Sequence, residues 1–141
     1  MNLQELQTIV YNNANVKIFV LNNDGYHSMR QTQKNLFHGE LAGVSKENGI
    51  SFPDMEKIAY AYGIPYVRIC DTQSVAKQAL LTMESPGPAI CEVILDKEQF
   101  FEPKLSSKVM PDGKIVSPAI DDLSPFLSRE EYLENKNQFL I

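Results

Sequence analysis

The stretch Val16–Tyr26, VKIFVLNNDGY, decides how this chain is read. Four consecutive apolar residues, Ile18 to Leu21, leave no polar face for solvent, so the segment predicts a strand covered on both sides, as in a parallel sheet. The run stops at Asn22, Asn23, Asp24 and Gly25, residue types that favour a turn, and a polar helical stretch follows from Tyr26 or His27. In open α/β sheets ligands bind beyond the carboxyl ends of the strands, which is where this turn falls. Asparagine offers a neutral oxygen ligand there. Gly25 lets the backbone turn sharply and bring a carbonyl close to an ion, and the first N–H groups of the next helix suit phosphate. The stretch is compatible with a corner for Mg2+ and a diphosphate, and equally with an ordinary turn.

Outward from this stretch, helix and strand alternate. Leu3, Leu6, Ile9 and Val10 recur at helical spacing, predicting a helix over residues 2–13. PDMEKIAYAYG, Pro53–Gly63, carries Met55, Ile58, Ala59 and Tyr62 on one face, starts at a proline and stops at a glycine. YVRIC predicts a second strand. Thr72 is the expected N-cap of a helix carrying Val75, Ala76, Ala79 and Leu80, and PAICEVILD predicts a third strand. Strands at 16–22, 66–70 and 89–95 separated by helices imply an α/β fold, a parallel sheet flanked by helices with right-handed crossovers. From about Phe100 the pattern changes, and four of the eight prolines lie beyond that point. Residues 1–99 therefore read as the domain. Residues 100–141 read as an extended, Pro-rich C-terminal tail closed by a short helix, for which Ser128 and Glu131 have capping-box spacing.

Composition narrows the function. With 43% hydrophobic residues in 141, the chain can bury a core of its own. A net charge of −5 argues against a nucleic-acid surface, which needs clustered Lys and Arg, so an anionic ligand has to be held locally. No apolar run approaches the roughly 20 residues of a membrane span, and no secretory signal is read at the start, which makes the cytoplasm the expected location. Cys70 and Cys91 sit in strand-like apolar surroundings and are expected to be buried free thiols. Neither His27 nor His38 is spaced with them as in a zinc site.

The run MNLQELQTIVYNNANVKIFVLNNDGYHSMRQTQ resembles the cofactor-binding motif of the thiamine-diphosphate-dependent family that includes acetolactate synthases, pyruvate decarboxylases and benzoylformate decarboxylases. DMEKIAYAYGIPYVRI and GPAICEVILD resemble the remainder of the family's diphosphate-binding domain, and PKLSSKVMPDGKIVSPAIDDLSPFLSREE resembles the C-terminus of its acetolactate-synthase-like branch, so the likeness covers nearly the whole chain. It implies that the Asn23 side-chain oxygen and the Gly25 carbonyl coordinate a Mg2+ bridging the diphosphate of thiamine diphosphate. Asn22, Asp24 and Tyr26 would shape the loop, and Tyr26, His27, Ser28 and Met29 would lie near the cofactor and the substrate entrance. Met29 is equally readable as a helix residue packing on the sheet.

No catalytic side chain is implied within these residues. The family motif opens with a Gly-Asp-Gly triplet, whose spacing would place it before Met1, so the resemblance implies a fragment truncated on its N-terminal side and inactive alone. The implied parent decarboxylates 2-oxo acids such as pyruvate, with carboligation or protonation to follow, and completes its site with the pyrimidine-binding domain of a second subunit in a homo-oligomer. A small subunit of a two-chain thiamine-dependent decarboxylase and a non-catalytic interaction module are the alternatives.

Overall fold

A computed structural model of the protein describes residues 2–37 and 39–138. His38, weighed above only as a zinc ligand, and the last three residues of the tail lie outside them. The chain divides into two compact units, Met1–His27 with Ala42–Gln99, and Ser28–Leu41 with Phe100–Ile141. Segment 28–41 therefore clusters with the tail residues.

The first unit is built on three parallel strands, β1 (Lys17–Asn22), β2 (Tyr66–Ile69) and β3 (Ala89–Ile94), in the order β1-β3-β2. Lys17 to Asn22 pair in step with Ala89 to Ile94, and Tyr66 to Ile69 with Ile90 to Val93. The chain passes over the position of β3 to lay down β2, then returns to fill it. Because right-handed crossovers in opposite directions put their helices on opposite faces, α3 (Met55–Tyr62) and α4 (Thr72–Glu84) sandwich the sheet. The last strand thus becomes the central one, and Ala89, Ile90, Cys91 and Glu92 are all buried.

The core of this unit is Ala59, Ile64 and Ile90, with Leu6, Val10, Ile18, Val20, Tyr62 and Tyr66 packed against it. Leu6 and Val10 come from α1 (Glu5–Tyr11), which is shorter than the 2–13 expected. It ends because Asn13 turns left-handed at φ 46°, a conformation asparagine tolerates. On α3 the Asp54 carboxylate accepts the Lys57 N–H at 3.1 Å, and Gly63 closes the helix at φ 65°.

For α4 the sequence expectation is corrected. The N-cap is Asp71, whose carboxylate accepts the Ser74 N–H at 2.8 Å and the Ser74 hydroxyl at 2.7 Å, while Thr72 is the first helical residue. Those bonds, the hydroxyl's foremost, hold the Asp71 carboxyl below its usual range. A carboxylate serves the positive end of a helix better than a hydroxyl, which explains the preference. Cys70 is also corrected: it is free but exposed, since β2 stops at Ile69, whereas Cys91 in the central strand is buried.

In the second unit the tail folds back on itself instead of running extended. Strands β4 (Lys108–Val109) and β5 (Ile115–Val116) form an antiparallel hairpin, and Lys104 and Ser124 exchange two backbone bonds of 2.9 and 2.7 Å. Asp122, 4% exposed, accepts from Arg129 at 2.7 Å and Lys108 at 3.2 Å, and the Arg129 guanidinium in particular holds its carboxyl below the usual range. Lys108 also lies 3.7 Å from the centre of the Phe126 ring. The final helix, α5 (Arg129–Gln138), starts where the Ser128 hydroxyl accepts the Glu131 N–H at 3.2 Å. Lys104 reaches Ser28 in α2 (His27–Leu36), donating to its hydroxyl and carbonyl oxygens at 3.1 Å each.

Candidate functional site

The turn that ends β1 is held from three directions. Asn22 is committed at both ends of its amide: Oδ1 accepts the Asp24 N–H at 2.9 Å, and Nδ2 donates to Glu92 Oε1 at 2.6 Å. The first bond closes an Asx turn over Asn23. Asp24 adopts the left-handed conformation at φ 54°, and its carboxylate pairs with Lys97. Both partners of that pair are about half exposed, so the pair adds little energy. Tyr26 then donates its N–H to the carbonyl of the fully buried Val44 at 2.9 Å, and its ring meets Phe52 edge-on at 5.4 Å. Val44 is itself fixed by the 3-10 turn Lys46–Asn48, where Asn48 Oδ1 accepts the Val44 and Ser45 N–H groups at 2.9 and 2.8 Å.

Asn22 ends β1, Asn23, Asp24, Gly25 and Tyr26 form the loop beyond it, and His27 opens α2, buried at the loop's close. Ser28 and Met29 continue into α2 and belong to the second unit. Met29 is half exposed. Asn22, Asn23, Gly25, Phe52 and Glu92 line a cleft of about 110 Å³ beside the loop.

Sequence reading passed over Glu92. Its signal was present, a single carboxylate inside the apolar run AICEVIL of a strand expected to be covered on both faces. Period-two alternation and the register place Asn22, Glu92, Tyr66 and Arg68 on the same face of the sheet. Glu92, 5% exposed, accepts from Asn22 on one side and from the Tyr66 hydroxyl on the other, with Arg68 Nε 3.5 Å from Oε2.

Burial first, and then the Glu92 carboxylate it donates to, push the Tyr66 phenol well above its ordinary 10.0, with Glu56 adding slightly and Arg68 opposing. A group whose folded pKa is raised contributes stability that is complete below its unfolded pKa and is lost as the pH climbs through the folded value. The melting midpoint should therefore fall above a pH of about 10, and fall less steeply in Tyr66→Phe. Circular dichroism melts across that range check this, and parallel curves for the two proteins would refute it.

The loop suits a divalent cation and a diphosphate as part of a shell. Its oxygens, the Asn23 amide and the Gly25 carbonyl, are neutral. No group of three or more His, Cys, Asp or Glu side chains among the described residues is placed to hold a metal. Mg2+ takes six oxygens and usually keeps phosphates, waters and one or two carboxylates, so a Mg2+ held here would draw its remaining ligands from the diphosphate, solvent and residues outside this loop. No helix among the described residues is long and apolar enough to cross a membrane.

Comparison with known proteins bears on the family of the chain. Residues 1–93 match the family model described as thiamine pyrophosphate enzyme, C-terminal TPP binding domain. The chain is 32% identical over 112 residues to acetolactate synthase 3, chloroplastic, of Brassica napus, a match spanning 76% of the chain and 17% of that protein. It is 35% identical over 98 residues to the mitochondrial acetolactate synthase catalytic subunit of Aspergillus candidus, covering 70% and 14% respectively. To the acetolactate synthase large subunit of Cyanidium caldarium it is 30% identical over 95 residues, covering 67% and 16%. The matched segment thus spans about a sixth of the length of these relatives. On the extent of the match and the parallel sheet that carries it, the chain belongs to the thiamine pyrophosphate enzymes, as their C-terminal cofactor-binding domain.

Proposed function

We propose that this chain supplies the metal-holding loop and the closing half of the diphosphate-binding domain to an acetolactate synthase-like enzyme acting on 2-oxo acids such as pyruvate. The observation that carries the reading is the braced turn at the carboxyl end of β1, in which the Asx turn of Asn22 and the left-handed Asp24 set the backbone around Asn23 and Gly25. Asn23 Oδ1 and the Gly25 carbonyl would hold Mg2+. When bound, thiamine diphosphate supplies the electron sink for decarboxylation of the 2-oxo acid. The residues of this chain would bind and orient it: Asn22 and Asp24 keep the loop in shape, and Tyr26 secures its end to the Val44 carbonyl.

The pyrimidine half of the cofactor would be taken by the corresponding domain of a second subunit, and the working unit is a homo-oligomer in the cytoplasm. Support for association comes from β1, an edge strand whose Phe19 and Leu21 are 37% and 64% exposed. An unpaired edge with apolar side chains beside it favours pairing with another chain.

A diphosphate carries several negative charges, the loop's ligands are neutral, and a net charge of −5 offers no general attraction. The 141-residue chain by itself should therefore bind thiamine diphosphate with Mg2+ no more tightly than about 1 mM, turn over no pyruvate, and scatter light as a dimer or larger species. Titration calorimetry, a coupled pyruvate assay and light scattering test this. Binding tighter than about 10 µM, or pyruvate turnover by this chain, would show that the site is complete within it.

A further inference from the structure

We propose that Glu92 is the positioning residue of the metal loop, fixing the orientation of the Asn22 amide and through it the backbone around Asn23 and Gly25. The proposal rests on the reading of that loop as the metal site. Glu92 lies in the central strand, one of the few buried charged side chains in the first unit, and it faces the cleft beside the loop.

A carboxylate only accepts hydrogen bonds. With Oε1 of Glu92 2.6 Å from Asn22 Nδ2, the Asn22 amide has one allowed orientation, N–H toward Glu92 and carbonyl oxygen toward the loop. That orientation leaves Oδ1 to accept the Asp24 N–H at 2.9 Å and close the turn. The other side of Glu92 is anchored on β2. The Tyr66 hydroxyl donates to Oε2, and Arg68 Nε lies 3.5 Å from the same oxygen. The connection therefore runs from β2 across β3 to the end of β1, through charge-assisted bonds to a buried carboxylate, stronger than bonds between neutral groups. A buried glutamate whose bonds served only the sheet would have no need of Asn22, since the ladder between β1 and β3 is made by backbone groups.

Glu92→Gln tests this because it keeps the volume but offers both a carbonyl and an amide, so Asn22 can face either way. The experiment uses the 141-residue chain, with backbone amide signals assigned by NMR and Mn2+ with inorganic diphosphate as the probe. Mn2+ at millimolar concentration should broaden the Asn23 and Gly25 signals of the wild type, and Asn23→Ala should abolish that broadening. In Glu92→Gln the Mn2+ concentration giving the same broadening should rise about tenfold, the scale of losing an outer-shell partner. Exchange of the Asp24 amide should accelerate by a similar factor, while that of the core Ile90 amide changes less than about threefold. Tyr66→Phe, which loosens Glu92 without altering it, should shift both readouts in the same direction by less.

Unchanged Mn2+ dependence and Asp24 exchange in Glu92→Gln would overturn the positioning role. So would equal acceleration at Asp24 and Ile90, which marks general destabilisation. Absence of broadening at Asn23 and Gly25 in the wild type even at about 20 mM Mn2+, where a site of about 1 mM is nearly filled, would overturn the metal-loop reading itself, and this proposal with it.

Discussion

Asn23→Ala, introduced into the assembled thiamine-dependent enzyme, should raise the Mg2+ concentration needed for half-maximal cofactor binding by about 100-fold and lower turnover, with partial recovery in excess Mg2+. The effect follows from the proposed role of Asn23 as one of the six ligands. Mg2+ requires six oxygens in near-octahedral array and gives up its waters reluctantly. Removing one amide oxygen leaves a position that water can take, but water does not tie the ion to the end of β1. Disturbing even an outer-shell partner of a metal typically costs 10- to 100-fold in affinity, and loss of a direct ligand belongs at the upper end of that range. Recovery with excess metal is the diagnostic part, because a variant that merely misfolds is not repaired by mass action at a weakened site. Cofactor titrations at several fixed Mg2+ concentrations would show it. Unchanged dependence on Mg2+ would place the metal elsewhere.

The second large effect is on stability. Ile90→Ala should destabilise the chain by about 3–4 kcal/mol, against a total of the order of 5–15 kcal/mol for a domain of this size. Ile90 is 2% exposed, sits in the central strand and belongs to the cluster with Ala59 and Ile64. Truncation removes three carbons from a site walled by a helix on one side and by strands on both flanks, so the cavity cannot collapse. Ile90→Val should cost about 1 kcal/mol, and Leu81→Ala on α4, whose side chain is half exposed, under about 0.5 kcal/mol. Urea melts with unchanged slopes measure all three. A loss at Ile90 no larger than at Leu81 would mean that the core has been misidentified.

The three strands and their parallel arrangement were legible because each is a short apolar run bounded by turn residues, with a helical repeat between one and the next. Backbone and burial physics dominate there, and both leave a periodic trace. Asp71 was missed as a cap because Asp and Thr stand side by side and both can serve, and only the geometry of the turn chooses between them. Cys70 was misjudged for a related reason: the strand ends one residue earlier than its apolar pattern, and exposure changes at that step.

The tail was harder, because its order comes from a buried Asp122 met by Lys108 and Arg129, residues 14 and 7 positions away with no repeat to mark them. For the site, the loop Asn22–His27 could be read as a turn beyond a strand, since that depends on local residue types. Glu92 could not be read as its brace, because the contact with Asn22 joins residues 70 positions apart. The Asx turn that makes Asn22 a support is likewise a matter of which way one amide faces.

The order β1-β3-β2 also carries a consequence for biosynthesis. Among the described residues neither β1 nor β2 pairs with the other; each pairs with β3, and Lys17 waits for Ala89, 72 positions later. When everything through α4 has been released, β1 and β2 both still lack the strand that will lie between them. Contacts of such long sequence separation close slowly, and chains caught before closure expose strand edges. The joining of β1 to β2 is therefore a late event, completed only when AICEVI enters between two strands made long before it.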